Sequence, residues 1–302
     1  MLGIIDEFEN AFAKNDLIYT AAPVVQIMTE EELIEILPKY DGWIIGDDPA
    51  SKRVVEAGVN GKLRAAVKWG VGVDNVDFDA FEDANIPVEN TPGVFGNEVA
   101  DIALAYTLGL ARHTYLIDHK IRAENAWPKP SGISVLGRTV AIVGFGDIGQ
   151  QTALRIQACG GKVIAYDPQF NPIAGVKADH AIWPERLEEV DFLIFTCPLN
   201  PATQGMFNEA TLPLLKSGVR IVNVGRGPVI KESALIEGLD RGIVHSAALD
   251  VFEEEPLAPT SPLRQYENCI FGSHNGSNSI DAVRRVSLIA IDKIAGFLQA
   301  KR

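Results

Sequence analysis

The sequence predicts an α/β protein built on parallel sheets, and three observations predict it. Short apolar runs rich in β-branched residues alternate with stretches of helical periodicity, the pattern of β-α-β units whose strands are buried on both faces. The stretch RTVAIVGFGDIGQQTALRIQACGGKVIAYD, residues 138–167, orders a strand-like run, three glycines in G-x-G-x-x-G spacing, a helical pattern and a second strand. A length of 302 residues with 47% hydrophobic content gives chain enough for two cores.

Taken in order, Leu2, Ile5, Phe8 and Phe12 fall near helical spacing and predict an amphipathic helix over 2–13. Residues 24–28 read as a strand, and Thr29 with Glu32 makes a capping box for a helix through Leu37. Strands are expected at 43–45 and 65–68, with a helix over 50–58 between them. The stretch 70–93, rich in Gly, Asp and Asn, suits turns at strand ends. A long helix over 97–112, with Val99, Ile102, Ala103, Tyr106 and Leu110 on one side, bridges two domains. Residues 127–137, which hold Pro128 and Pro130, read as a surface loop. Beyond the glycine stretch, apolar runs at 191–195, 219–224, 244–249 and 269–271 predict four more strands.

Each part of the glycine stretch has a physical reason. Gly144 allows the turn after the strand, Gly146 lets the backbone approach a pyrophosphate, and Gly149 lets helix and strand pack closely. The helix start then offers unpaired N–H groups and a positive dipole end to the phosphates. Asp167 lies roughly 20 residues beyond the glycines, where an acid accepts hydrogen bonds from the ribose hydroxyls and repels a 2′-phosphate. No Arg or Lys follows in Pro168, Gln169 and Phe170, so NAD is expected rather than NADP.

The net charge of −13 and the lack of any basic run exclude a nucleic-acid partner, whose affinity comes from clustered Lys and Arg. Cys159, Cys197 and Cys269 are odd in number and widely spaced, as free thiols in a reducing compartment would be. The first residues carry acids among their apolar positions and no basic region, and no apolar run is of membrane-spanning length. A cytoplasmic protein with no membrane partner is expected. His113, His119, His180 and His245 lack neighbours at metal-ligand spacing, so no metal is expected.

Ligands of open α/β sheets bind beyond the carboxyl ends of the strands. Three residues there make a set suited to redox chemistry on a hydroxy acid. Arg226, between two glycines, suits bidentate binding of a carboxylate. His274 suits proton transfer to a carbonyl oxygen, and Glu255 suits holding the far ring nitrogen and favouring the imidazolium. By position alone, each is more often an ordinary solvated or structural residue.

The segments KWGVGVDNVD (68–77), NTPG (90–93), VAD (99–101), VGFGDIG (143–149), CPLNPAT (197–203), NVGRG (223–227), DVFEEEP (250–256) and SHNGS (273–277) appear in the order of one known family. Over almost its whole length the chain resembles the D-isomer-specific 2-hydroxyacid dehydrogenases, most of all their phosphoglycerate-dehydrogenase-like branch. The resemblance implies two Rossmann-like domains with parallel sheets, the NAD-binding domain inserted into a discontinuous substrate domain. The expected boundaries are 1–96 and 273–302 for the substrate domain and 97–272 for the NAD-binding domain, with the active site in the cleft. It assigns the substrate carboxylate to Arg226 and to the backbone of Val71 and Gly72, orientation of the histidine to Glu255, and acid-base work to His274. It places cofactor contacts on Asp147, Ile148, Asp167, Cys197, Pro198, Thr203, Val224 and Asp250, with Gly144, Gly146, Gly149, Gly225, Arg226, His274 and Gly276.

Two departures stand out. The family usually opens with a β-strand, whereas this chain opens with the helical pattern at Leu2, which implies a substrate-domain sheet short of an edge strand. Ser273 stands where proline often precedes the histidine. The resemblance implies interconversion of a D-2-hydroxy acid and a 2-oxo acid by hydride transfer with NAD, on a homodimer. A phosphorylated substrate requires several cations, of which Lys68 and Arg226 are the two in place, and the end at Arg302 leaves no expected serine-sensing domain. The alternative is an NAD(H)-sensing corepressor on the same fold, as in the C-terminal-binding proteins.

Overall fold

The computed structural model describes residues 1–23 and 27–300, so Val24, Val25 and Gln26 of the expected strand at 24–28 lie outside the described residues. Ile27 and Met28 are not in a strand. The chain forms two units, Met1–Phe95 with Asn278–Arg302, and Gly96–Ser277.

The first unit opens with a 3-10 helix, Leu2–Phe8, rather than a regular helix, because Ile4 leaves helical geometry at φ −137°. Then follow α1 (Glu9–Lys14), α2 (Glu30–Ile36), β1 (Gly42–Ile45), α3 (Lys52–Val59), β2 (Ala65–Lys68), α4 (Phe78–Asp83) and β3 (Val88–Asn90). A helix that follows the second unit in the chain, Ile280–Ala300, returns to complete it. The capping box forms: the Glu32 N–H donates to the Thr29 hydroxyl at 3.3 Å and the Thr29 N–H to the Glu32 carboxylate at 2.8 Å.

The helix expected from residue 50 starts later, at Lys52, because Ala50 bridges in parallel to Val76 and exchanges backbone hydrogen bonds with Asn75 and Asp77. The stretch 70–93 is also more ordered than its turn residues imply. The Asp77 carboxylate caps α4 through the Ala80 N–H at 3.0 Å, and β3 pairs with β2. The sheet, among the described residues, has the order β1-β2-β3 and is parallel. Side chains alternate across β2. Ala66 packs with Leu33, Val55 and Phe81, while Ala65 and Val67 pack with Ala290 and Ile294 of the returning helix.

The second unit opens with α5 (Gly96–Arg112), one residue longer than the expected helix, and α6 (Thr114–Glu124). There follow β4 (Thr139–Val143), α7 (Asp147–Ala158), β5 (Lys162–Tyr166), β6 (Asp179–His180), β7 (Phe192–Phe195), β8 (Val219–Asn223), α8 (Glu232–Asp240), β9 (Val244–Leu249) and β10 (Ile270–Phe271). The seven strands run in the order β10-β9-β8-β7-β4-β5-β6, all parallel. Strand order reverses between β4 and β7, and that switch point is where an open α/β sheet takes its ligand. Ala141, Val143, Ile221 and Ala247 face a core with Ala234 and Leu235 of α8. Their alternate neighbours face the opposite side, where α5 and α7 pack on each other and on the sheet.

The second boundary also differs from the expected 272/273. The loop carrying His274 stays with the second unit, since the N–H groups of His274, Asn275 and Gly276 all donate to Asp250 at the end of β9.

Candidate active site

Six strand ends of the second unit build the site, those of β4, β5, β7, β8, β9 and β10. After β4 the chain turns at Gly144, whose φ of +88° and close approach to Cys197, 2.6 Å from where a Cβ would stand, admit only glycine. The Thr196 hydroxyl donates to the Gly144 carbonyl at 2.6 Å and fixes the turn from β7. Gly146 is the N-cap of α7, and a Cβ built there meets nothing within 4 Å, so its backbone is open to a ligand. Asp147 opens the first turn of α7, and Ile148 and Gly149 follow it.

Asp167, past the end of β5, has both carboxylate oxygens oriented from the backbone. The Phe145 N–H donates to one at 2.6 Å and the Gln169 N–H to the other at 2.7 Å. Each oxygen keeps a lone pair for a ribose hydroxyl. An open glycine backbone at a helix start, with an oriented acid on the neighbouring strand end, fits NAD by this geometry.

The loop after β7 is held by its own polar residues. Thr203 donates to the Pro198 carbonyl at 2.6 Å and accepts from the Asn200 N–H at 2.9 Å. Cys197 is buried with its side chain in the core of the unit, and burial pushes its thiol up to about 12. Any cofactor contact at Cys197 is therefore left to its backbone, not its sulfur.

After β8, Asn223 is buried and shapes the next turn. Its side-chain oxygen accepts from the Gly225 N–H at 3.1 Å and its amide donates to the Arg226 carbonyl at 2.9 Å. Val224 is buried, and the partly exposed Arg226 guanidinium reaches back to the Gly225 carbonyl at 3.0 Å. Gly227 lies against Phe252 so closely that a Cβ would stand 1.7 Å from the Phe252 carbonyl oxygen. The Arg226 turn and the segment after β9 are thereby in direct backbone contact.

That segment carries the acid. One Glu255 oxygen accepts from the Phe252 N–H at 3.0 Å, and the other meets His274 Nδ1 at 2.8 Å. His274 follows β10 with a left-handed φ of +55°. Both side chains are partly exposed, so the pair is accessible from solvent. The structure thus joins Glu255 and His274 and sets the Arg226 turn beside the same backbone. Gly276, the last residue of that set, donates to the Asp250 carboxylate.

Val71 and Gly72 follow β2 in the first unit, where the Asn90 amide donates to the Val71 carbonyl at 3.0 Å. Lys68 is buried there, its ammonium bonded to the Gly46 carbonyl and 3.3 Å from Asp47. Sequence reasoning missed Thr196, Asn223 and also Tyr106 of α5, whose hydroxyl donates to the Asp250 carboxylate at 3.3 Å. The polar residue closing each apolar run, Thr196 after β7 and Asn223 in β8, was the available signal for the first two.

Fold and site together define a dinucleotide-binding α/β protein with a histidine–carboxylate pair at the carboxyl end of its larger sheet. Residues 104–276 match the model of the D-isomer specific 2-hydroxyacid dehydrogenase NAD binding domain, and the chain belongs to that family. Its cofactor is accordingly NAD. It is 35% identical over 274 residues to a hydroxypyruvate reductase of Thermotoga maritima, covering 88% of each chain. It is 34% identical over 279 residues to D-3-phosphoglycerate dehydrogenase 2, chloroplastic, of Arabidopsis thaliana, covering 91% of this chain and 44% of that protein. The chain thus spans under half the length of that relative. Among solved structures, the TT0316 protein of Thermus thermophilus superposes with a TM-score of 0.89 at 28% identity, covering 97% of this chain and 94% of the other.

Proposed function

We propose that the chain reduces a small 2-oxo acid to the D-2-hydroxy acid with NADH, and runs the reverse with NAD. The observation that carries this reading is the 2.8 Å contact between His274 Nδ1 and Glu255, whose second oxygen the Phe252 N–H holds in place. Because Nδ1 faces a carboxylate, its proton stays there in both charge states of the ring, and the exchangeable proton is the one on Nε2. Arg226 binds the substrate carboxylate with parallel N–H donors and draws electron density from the adjacent carbonyl. His274 gives its Nε2 proton to the carbonyl oxygen in reduction and takes it back in oxidation. Gly144, Gly146, Asp147, Ile148, Gly149 and Asp167 hold the cofactor with Pro198, Thr203 and Gly225; bound NADH supplies the hydride.

The test is NADH consumption against a panel of 2-oxo acids that includes glyoxylate, hydroxypyruvate and phosphohydroxypyruvate, with NADPH in parallel. His274→Gln should keep NADH affinity and lose turnover by about two to four orders of magnitude. Undiminished turnover in that variant removes His274 from the mechanism, and NADH binding with no turnover of any oxo acid by the parent replaces the enzyme with a sensor.

The same reading makes the protein a cytoplasmic homodimer. Among the described residues no helix is long and apolar enough to cross a membrane. Support for the dimer comes from α6, none of whose side chains is fully buried, from Tyr115 and Ile121 exposed on it and from Trp127 exposed shortly after its end. Trp127→Asp should shift the sedimenting species from dimer to monomer; a parent that already sediments as a monomer refutes the assignment.

A further inference from the structure

We infer that Tyr106 and Asp250 form a positioning pair that aims His274, a role that rests on the acid-base function proposed for that histidine. Asp250, at the end of β9, is 2% exposed. Three consecutive amides converge on it: the His274 N–H donates to its backbone carbonyl at 2.7 Å, the Asn275 N–H to Oδ1 at 3.2 Å and the Gly276 N–H to Oδ2 at 2.7 Å. One residue therefore sets the path of the loop in which His274 adopts φ +55°, a conformation uncommon in residues that carry a side chain.

A further donor comes from the opposite side. Tyr106, on α5, gives its hydroxyl proton to Asp250 Oδ1 at 3.3 Å. Burial, then the Asp250 charge, push the phenol well above its ordinary range, so it stays a donor at any physiological pH. A buried hydroxyl on an apolar helix face costs stability unless it is bonded, and a buried carboxylate needs donors; each group here answers the other. Gly272 shows how tightly the pair is seated, since a Cβ there would lie 2.2 Å from Asp250 Oδ1 and 2.4 Å from the Tyr106 oxygen. With the carboxylate clamped between α5 and the loop, the loop cannot turn about Asp250, and the imidazole stays where Glu255 meets it.

Tyr106→Phe keeps the ring and removes the hydroxyl. In the full-length protein, kcat for oxo-acid reduction should fall roughly tenfold while KM for NADH stays within about twofold, as loss of one hydrogen bond to a charged group implies. Amide exchange at Asn275 and Gly276 should quicken by a similar factor. In a His274→Gln background the same substitution should cost no further activity, because a positioning residue acts only through the group it positions. Parent-like kcat and exchange in Tyr106→Phe overturn the proposal, as does an equal loss in both backgrounds. Should the parent turn over no oxo acid, the proposed function fails by itself, and the exchange measurement still decides the tether: faster exchange supports it and unchanged exchange refutes it.

Discussion

Asp167 has two amide donors on its carboxylate, so its oxygens are held in place for the ribose contact proposed for them. Preorganisation of this kind lowers the cost of binding, and the negative charge acts against a 2′-phosphate. Asp167→Asn keeps the shape but sets an NH2 group against one of the two amides. NADH affinity should drop about tenfold, with NADPH losing less, which a fluorescence titration of both cofactors would show; equal losses for the two would separate Asp167 from cofactor choice. Glu255 is held in the same manner, by the Phe252 N–H, and spends its second oxygen on His274. Glu255→Gln should lower kcat by about tenfold or more and leave NADH affinity intact, since the lost charge lies against the imidazole and the Phe252 N–H.

At the scale of elements, the Arg226 turn and the segment after β9 pack with backbone against backbone at Gly227. Gly227→Ala forces a methyl into the Phe252 carbonyl, which moves either Arg226 or the Glu255 anchor. Destabilisation of about 1–3 kcal/mol in urea unfolding, with a loss of turnover that exceeds it, is the expected outcome. The seven-stranded sheet was readable in the sequence because strands buried on both faces leave unbroken apolar runs: β4, β7 and β8 lie within one residue of the runs that predict them. Elements without that signature were hidden. β3 has three residues and β6 two, α4 has six, and α6 has no fully buried side chain, so none imprints a period on the chain. The site was legible to the extent that chemistry stands at strand ends, which is how Arg226, Glu255 and His274 came forward. Tyr106 was read as one apolar position among several, because periodicity registers a ring and is blind to its hydroxyl.

For the molecule as a whole, acid sensitivity should trace in part to Asp191, just before β7. Burial acts to raise its carboxyl, but Lys216 at 2.8 Å, the Thr139 N–H at 3.0 Å and Arg138 at 3.2 Å outweigh that and hold it below its ordinary value. A carboxyl depressed in the folded state contributes stability above its unfolded value and loses it as pH falls through the folded one. Asp191→Asn should cost about 1–2 kcal/mol near neutral pH, and the gap to the parent should close below about pH 4; a gap that persists in acid would assign the loss to packing. The order of segments has a consequence of another kind, for birth rather than equilibrium. Ala65 and Val67 of β2 find their cover in Ala290 and Ile294, yet all of Gly96–Ser277 is synthesised in between. On the ribosome the dinucleotide-binding unit can close as one continuous piece, while the three-stranded sheet waits with one face bare. The nascent chain thus carries an unfinished apolar surface past a finished domain, and it is that surface which a chaperone would hold.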